Sequence, residues 1–191
     1  MIINNNGVDK DKNKTRYEKL KLSKKWIFIG LSIWIVSFFV DIWPIVFITI
    51  FTVANTAMLS FKKYFDPPID IELSTMAAVL ITIKYGLVYG LIAAFFTKFI
   101  QMMYIKKIKM AYFFMMSSYM VAALFANFFS GFGVVNLGII VSVISNIYLA
   151  FVRKFLLGYS PIEIMGYGIT NIIFNIVLFI GFSEMFLFIM I

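Results

Sequence analysis

Residues 110–129 read MAYFFMMSSYMVAALFANFF, a run without one charged side chain, and nothing else in the chain restricts its fold so strongly. A helix needs about 20 predominantly apolar residues to cross the hydrocarbon core of a bilayer. Inside lipid, only helices or closed barrels satisfy every backbone polar group. Residues 87–105, 134–152 and 165–188 are further long apolar runs, with Lys98 and Glu184 the charged side chains inside them. Of the 191 residues, 62% are hydrophobic and 14% charged, against about 45–50% and about 25% in soluble domains. A soluble core of this size cannot hide so much apolar surface. The expected fold class is therefore all-α, a polytopic transmembrane helical bundle.

The number of spans turns on the short arms. Residues 26–61 are too long for one span and are interrupted by Asp41-Ile42-Trp43-Pro44. Proline removes a backbone donor and biases its predecessor away from the helical region, so we read a hairpin with arms 26–40 and 45–60; one long kinked helix is the alternative. Trp34 and Trp43 suit interfacial anchors. A charged, proline-containing loop over 61–70 precedes an arm over 71–83, a turn at Lys84-Tyr85-Gly86, and an arm over 87–105. Lys106–Lys109, Ser130–Gly133 and Arg153-Lys154 punctuate the rest, and a segment over 158–163 leads into the last span. The count is six or seven spans. Residues 1–25 form a polar, basic tail and residues 26–191 a single transmembrane helical domain.

Charge orients this bundle. Eight of the 17 basic residues lie between Lys10 and Lys25, and Lys62, Lys63, Lys106, Lys107, Lys109, Arg153 and Lys154 fall in loops on the same side of a seven-span count. Basic loops stay cytoplasmic, which predicts a multi-pass protein of the cell (plasma) membrane with a cytoplasmic N-terminus. The first apolar stretch lacks the cleavage site of a signal peptide. Lys98 is expected to snorkel along its helix toward the basic side. Lys84 is then the one basic residue assigned to the outer side, at a tight turn.

The net charge of +8 comes from the tail and the loops, and the 36 aromatics lie mainly in apolar segments. This is not a basic face interleaved with exposed aromatics, so nucleic acid is not an expected partner. Without cysteine or histidine, disulfides, Cys/His metal ligation and the usual neutral-pH base are excluded. No P-loop, nucleophile elbow or zinc-protease motif is present. We expect no enzyme activity, no metal and no cofactor.

Polar side chains within spans seldom face lipid. Lys84, Asn127, Asn136, Asn171 and Asn175 are the candidate solute contacts, Asn171 and Asn175 sharing a helix face. Interhelical hydrogen bonding is the alternative for each asparagine. Glu184, on the predicted outer side, either pairs with Lys84 or sits among headgroups. Gly86 and Gly90, and Ala122 and Ala126, are small-residue pairs suited to close helix packing. Asp70 and Glu72 flank a helix start, where negative charge suits the dipole.

The stretch 69–90, IDIELSTMAAVLITIKYGLVYG, resembles the substrate-binding S components of energy-coupling factor (ECF) vitamin transporters, which carry a short apolar helix, a turn near glycine and a G-x-x-x-G helix. Gly86 and Gly90 occupy those places, and the last span with Asn171 and Asn175 is similar too. The resemblance covers residues 45–190. The rod-shape membrane protein MreD has a similar pattern within the same broad group. What the resemblance implies is a small helical bundle that binds a vitamin-like small-molecule solute from outside. Its partners would be a transmembrane scaffold subunit and two ATPase subunits, all within the lipid bilayer or on it. An MreD-like structural scaffold without ligand or catalysis is the alternative. Two features depart from the S components: Ala54 and Ala57 are three rather than four apart, and the charge count adds an N-terminal span.

Overall fold

The computed structural model describes residues 25–32, 41–64, 67 and 69–190. Residues 25–32 are helical and belong to a compact unit spanning Met1–Ile42, while Trp43–Ile191 form a second unit. The tail over 1–24, Trp34 and most of the arm expected over 26–40 lie outside the described residues.

Among its described residues the second unit contains six α-helices: α1 (Trp43–Met58), α2 (Ser74–Tyr85), α3 (Leu87–Ile105), α4 (Met110–Phe128), α5 (Val134–Phe155) and α6 (Pro161–Ile189), with a 3₁₀ turn at Ser60–Lys63. There is no strand among the described residues. Pro44 sits in the first turn of α1, where its missing N–H costs nothing. Four helices, α3 to α6, are long and apolar enough to cross a membrane, whereas α1 has 16 residues and α2 only 12. The protein is membrane-embedded and all-helical.

The helices are turned inside out relative to soluble ones. On α3 the side chains of Val88, Ile92, Phe96 and Ile100, each four residues apart, are exposed, while Thr97, Lys98 and Gln101 are buried. On α6 Ile169, Ile173, Val177 and Ile180 face outward, and Asn171, Asn175 and Ser183 face inward. Lipid accepts the apolar stripe and rejects the amides and the ammonium, so the polar stripe points to the bundle axis.

On that axis lies α2. Every residue from Ser74 to Thr82 is buried, and α2 touches all five other helices. At 1.5 Å per residue it is about 18 Å long, too short for a core of about 30 Å. It is continued through the bundle by a non-helical segment, residues 69–73. The connections at 59–64, 106–109 and 156–160 cluster at one end, called here the basic end after its lysines and Arg153. The turns at Gly86 and at 129–133 mark the opposite end.

Boundaries expected from sequence shift in two informative places. The last helix starts at Pro161, because Ser160 and Glu163 form a capping box in which the Ser160 hydroxyl accepts from the Glu163 N–H at 3.3 Å and Glu163 Oε2 accepts from the Ser160 N–H at 2.9 Å. Helix α5 continues through Phe155, so Arg153 and Lys154 occupy its last turn, where cations complement the dipole.

The small residues act in different ways. Gly86 has nothing within 4 Å of a notional Cβ, and its φ of +93° is what demands glycine: it joins α2 to α3 in one residue. A Cβ on Gly90 would lie 1.8 Å from Thr82 Oγ1, so that glycine permits the close α2–α3 approach. Ala122 and Ala126 are fully buried in the apolar core around Phe51, Leu80 and Phe179. Gly138, which sequence reading passes over, holds α5 against α6: its Cβ would lie 2.1 Å from the Phe179 ring. Gly138→Ala is therefore expected to cost about 1–3 kcal/mol through overpacking, whereas Gly181→Ala, with open space around it, should be neutral. Unfolding midpoints of the two variants in detergent check this, and equal values would refute the contact.

Candidate functional site

Segment 69–73 is irregular backbone buried within a bundle, which is tolerated only if protein groups satisfy it. Each supporting helix contributes. The Asp70 N–H donates to Thr170 Oγ1 at 3.0 Å, and Asn171 Nδ2 of α6 donates to the Asp70 carbonyl at 3.2 Å. From α1, Asn55 Oδ1 accepts from the Leu73 N–H at 2.8 Å, while its Nδ2 donates to Ser74 Oγ at 3.2 Å and to the Thr97 carbonyl at 3.3 Å. Asn55 thus reproduces with one amide the contacts a neighbouring strand or turn would supply.

The side chains of this segment carry the charge. Asp70 and Glu72 are fully buried. Glu72 receives the Lys98 ammonium of α3 on Oε1 and the Tyr119 hydroxyl of α4 on Oε2, the latter at 2.6 Å. Asp70 Oδ2 accepts from Arg153 Nη2 of α5 at 3.0 Å, and the Lys62 ammonium lies 3.8 Å from Oδ1. Aromatic rings cover the cations: Lys98 Nζ stands 4.7 Å from the Tyr112 ring centroid, and the Arg153 guanidinium 4.5 Å from that of Tyr167. Three cations face two carboxylates, leaving one positive charge in excess.

The cluster reaches from the basic end into the bundle. Lys98 is seven residues from the end of α3 and Tyr119 nine from the start of α4, depths of about 10–14 Å along the helix axes. Below it lies an amide ladder. Asn171 Oδ1 accepts from Asn146 Nδ2 at 2.8 Å and from Asn175 Nδ2 at 3.0 Å. Some buried polar atoms accept or donate nothing among the described residues: Asp70 Oδ1, Asn146 Oδ1, Asn175 Oδ1 and both amide atoms of Gln101.

Of the sequence-derived candidates, the structure brings Asn171 and Asn175 together, on the inward face of α6. Lys84, Asn127 and Asn136 are exposed toward the opposite end and do not converge with them. A cavity between α4 and α5 near that end, lined by Phe125, Phe129, Leu137 and Val141, is wholly apolar. Glu184 and Lys84 are both exposed and form no ion pair with one another. Lys98 does not snorkel, because Glu72 meets it inside the bundle. Asp70 and Glu72 do more than flank a helix start. The residues missed are those whose partners are distant in sequence: Glu72 with Lys98, and Asp70 with Arg153. The available signal was a lysine inside a span and two carboxylates entering the bundle from the same end.

No family model, curated protein or solved structure matches the chain.

Breaking a buried pair from one side costs about 3–5 kcal/mol, mostly from the charge left behind. Glu72→Gln is expected to destabilise the protein by that order, and Glu72→Gln combined with Lys98→Met to recover a large part. Thermal unfolding of the purified single and double variants tests the pairing; a double variant no more stable than the single one would disprove it.

Proposed function

We propose that this protein is a membrane-embedded solute-binding component for uptake of a small, vitamin-like molecule, energised by partner subunits. One observation carries the reading: a charged cluster, buried at membrane depth, on the unwound segment 69–73 that leads into the short helix α2. Ionisable groups in a membrane interior are costly and are kept for pathways and binding sites. Interrupted helices whose ends and unwound backbone meet near the middle of a bundle are the usual construction of transporter sites. In this reading the positive-inside pattern makes the basic end cytoplasmic in a cell membrane, and a cytoplasmic N-terminus then requires two arms before the 61–70 loop and seven spans in all. A solute group that competes for Lys98 or Arg153 would exchange with Glu72 or Asp70. The 69–73 segment is held largely by side chains, so such an exchange loosens it without breaking a helix.

The asparagine ladder favours a second reading. Asn146 and Asn175 both donate to Asn171 Oδ1, and the Asn146–Asn171 bond ties α5 to α6 as an interhelical lock in an MreD-like structural scaffold would.

Native mass spectrometry of the protein released from mild detergent separates the two. Uptake predicts a stoichiometric small molecule. Its occupancy is expected to fall about tenfold in Tyr119→Phe, which removes one hydroxyl beside Glu72 and keeps the ring. An empty protein that brings other membrane proteins with it would reject solute capture in favour of the scaffold.

A further inference from the structure

Around α2 the other five helices follow one another in the order α1, α3, α4, α5, α6, each packed on the next, but the ring does not close. No Cα of α1 lies within 8 Å of one of α6. Toward the opposite end the Phe51 and Phe186 rings bridge the two helices, with centroids 5.2 Å apart. Nearer the basic end the bridge is segment 69–73 itself. Asn55 of α1 accepts from the Leu73 N–H, while Thr170 and Asn171 of α6 bond the Asp70 N–H and carbonyl. The segment is thus a strap across the open side of the ring. It lies level with Lys98 and Tyr119, at the depth of the hydrocarbon core.

Side chains along the strap alternate as in an extended chain. Asp70 and Glu72 are buried and reach inward to Arg153, Lys98 and Tyr119, whereas Ile69, Ile71 and Leu73 are half-buried. Those three face away from the cations, toward the open side between α1 and α6. The strap therefore turns an apolar surface to lipid and two carboxylates to the cluster behind it. Its ties to the flanking helices are side-chain hydrogen bonds, each of small net strength. Moving it outward unwinds no helix, because 69–73 is not helical. The movement would withdraw Asp70 and Glu72 from their cations, which are too costly to leave buried and unpaired. Only a group of the same charge can take their place.

We propose that segment 69–73 is a lateral gate, opening between α1 and α6 to admit the carboxylate headgroup of an amphiphile from the bilayer to Lys98 and Arg153. The proposal rests on the solute-binding reading and names its substrate class. Glu72 and Asp70 occupy the headgroup position in the closed state. The apolar tail of the ligand stays on the lipid side, where Ile69 and Ile71 stand when the strap is shut.

The chain has no cysteine, so nitroxide pairs can be placed on the full-length protein without background. One pair, Ile71→Cys with Ile147→Cys, joins the strap to the exposed face of α5; a second, Phe96→Cys with Ile147→Cys, joins the exposed faces of α3 and α5. Pulsed EPR distances are measured in phosphatidylcholine nanodiscs with oleate, or with acetate, which carries the same headgroup without a tail. Oleate is expected to raise the long-distance fraction of the strap pair at least threefold, with acetate and the reference pair showing no change. Thr170→Val, which removes the acceptor of the Asp70 N–H, is expected to raise the same fraction without oleate. The oleate result in the parent chain decides the matter if that variant does not fold. An equal response to acetate overturns entry from the bilayer, and solute binding then stands. Strap and reference distances that shift together show general loosening and overturn the gate. So does a strap distance that ignores oleate; a water-soluble molecule co-purifying with that protein would still uphold solute capture, and an empty protein would remove both.

Discussion

Segment 69–73 must hide an unwound backbone and two carboxylates within a bundle whose surroundings are lipid, and the remaining architecture follows from that demand. Unpaired backbone groups and charges have no water to turn to in such surroundings. They are met by Asn55 from α1, Lys98 from α3, Tyr119 from α4, Arg153 from α5, and Thr170 and Asn171 from α6. Five helices are therefore tied to one short stretch of chain. Displacing any of them leaves a buried polar group without its partner, so the clamp specifies the helix arrangement as well as contributing to it.

Packing in the rest of the unit is organised differently. Away from the basic end the core is apolar, with Phe47, Phe51, Leu80, Val141 and Phe179 around the upper part of α2. Lipid outside is as apolar as this core, so apolar contacts give little preference for one arrangement over another; close approach does. Gly90 against Thr82 and Gly138 against Phe179 supply that approach. The two halves thus divide the work: polar matching sets which helices meet, and small residues set how near they come.

Buried ion pairs are poor sources of stability, because desolvation offsets most of the Coulomb attraction. Five charged side chains within one small bundle, with cations in excess, make little sense as a device for stability alone. In the solute-binding reading proposed above, a ligand completes the charge balance. A half-length α2 suspended between a one-residue turn at Gly86 and a side-chain clamp at Asp70 and Glu72 is also the element that can respond to such a ligand, since its attachments at the basic end are individually exchangeable.

Much of the fold was legible in the sequence because lipid imposes long apolar runs and places charges at their ends. The helix expected over 87–105 has those bounds, and α4 and α1 fall within two residues of expectation. The capping box of Ser160 and Glu163 was written in the chain but needed the helix start to be recognised. The site was far less legible. Asn171 and Asn175 could be placed on one face by their spacing alone, a local property of helical geometry. Lys98 against Glu72 and Arg153 against Asp70 are separated by 26 and 83 residues, and no periodicity connects them. The sequence by itself determined that the chain is helical, membrane-embedded and basic at one end. Tertiary structure alone decided that its carboxylates and cations meet inside the bundle, because charges excluded from lipid pair with whatever partner the packing of distant helices brings within reach.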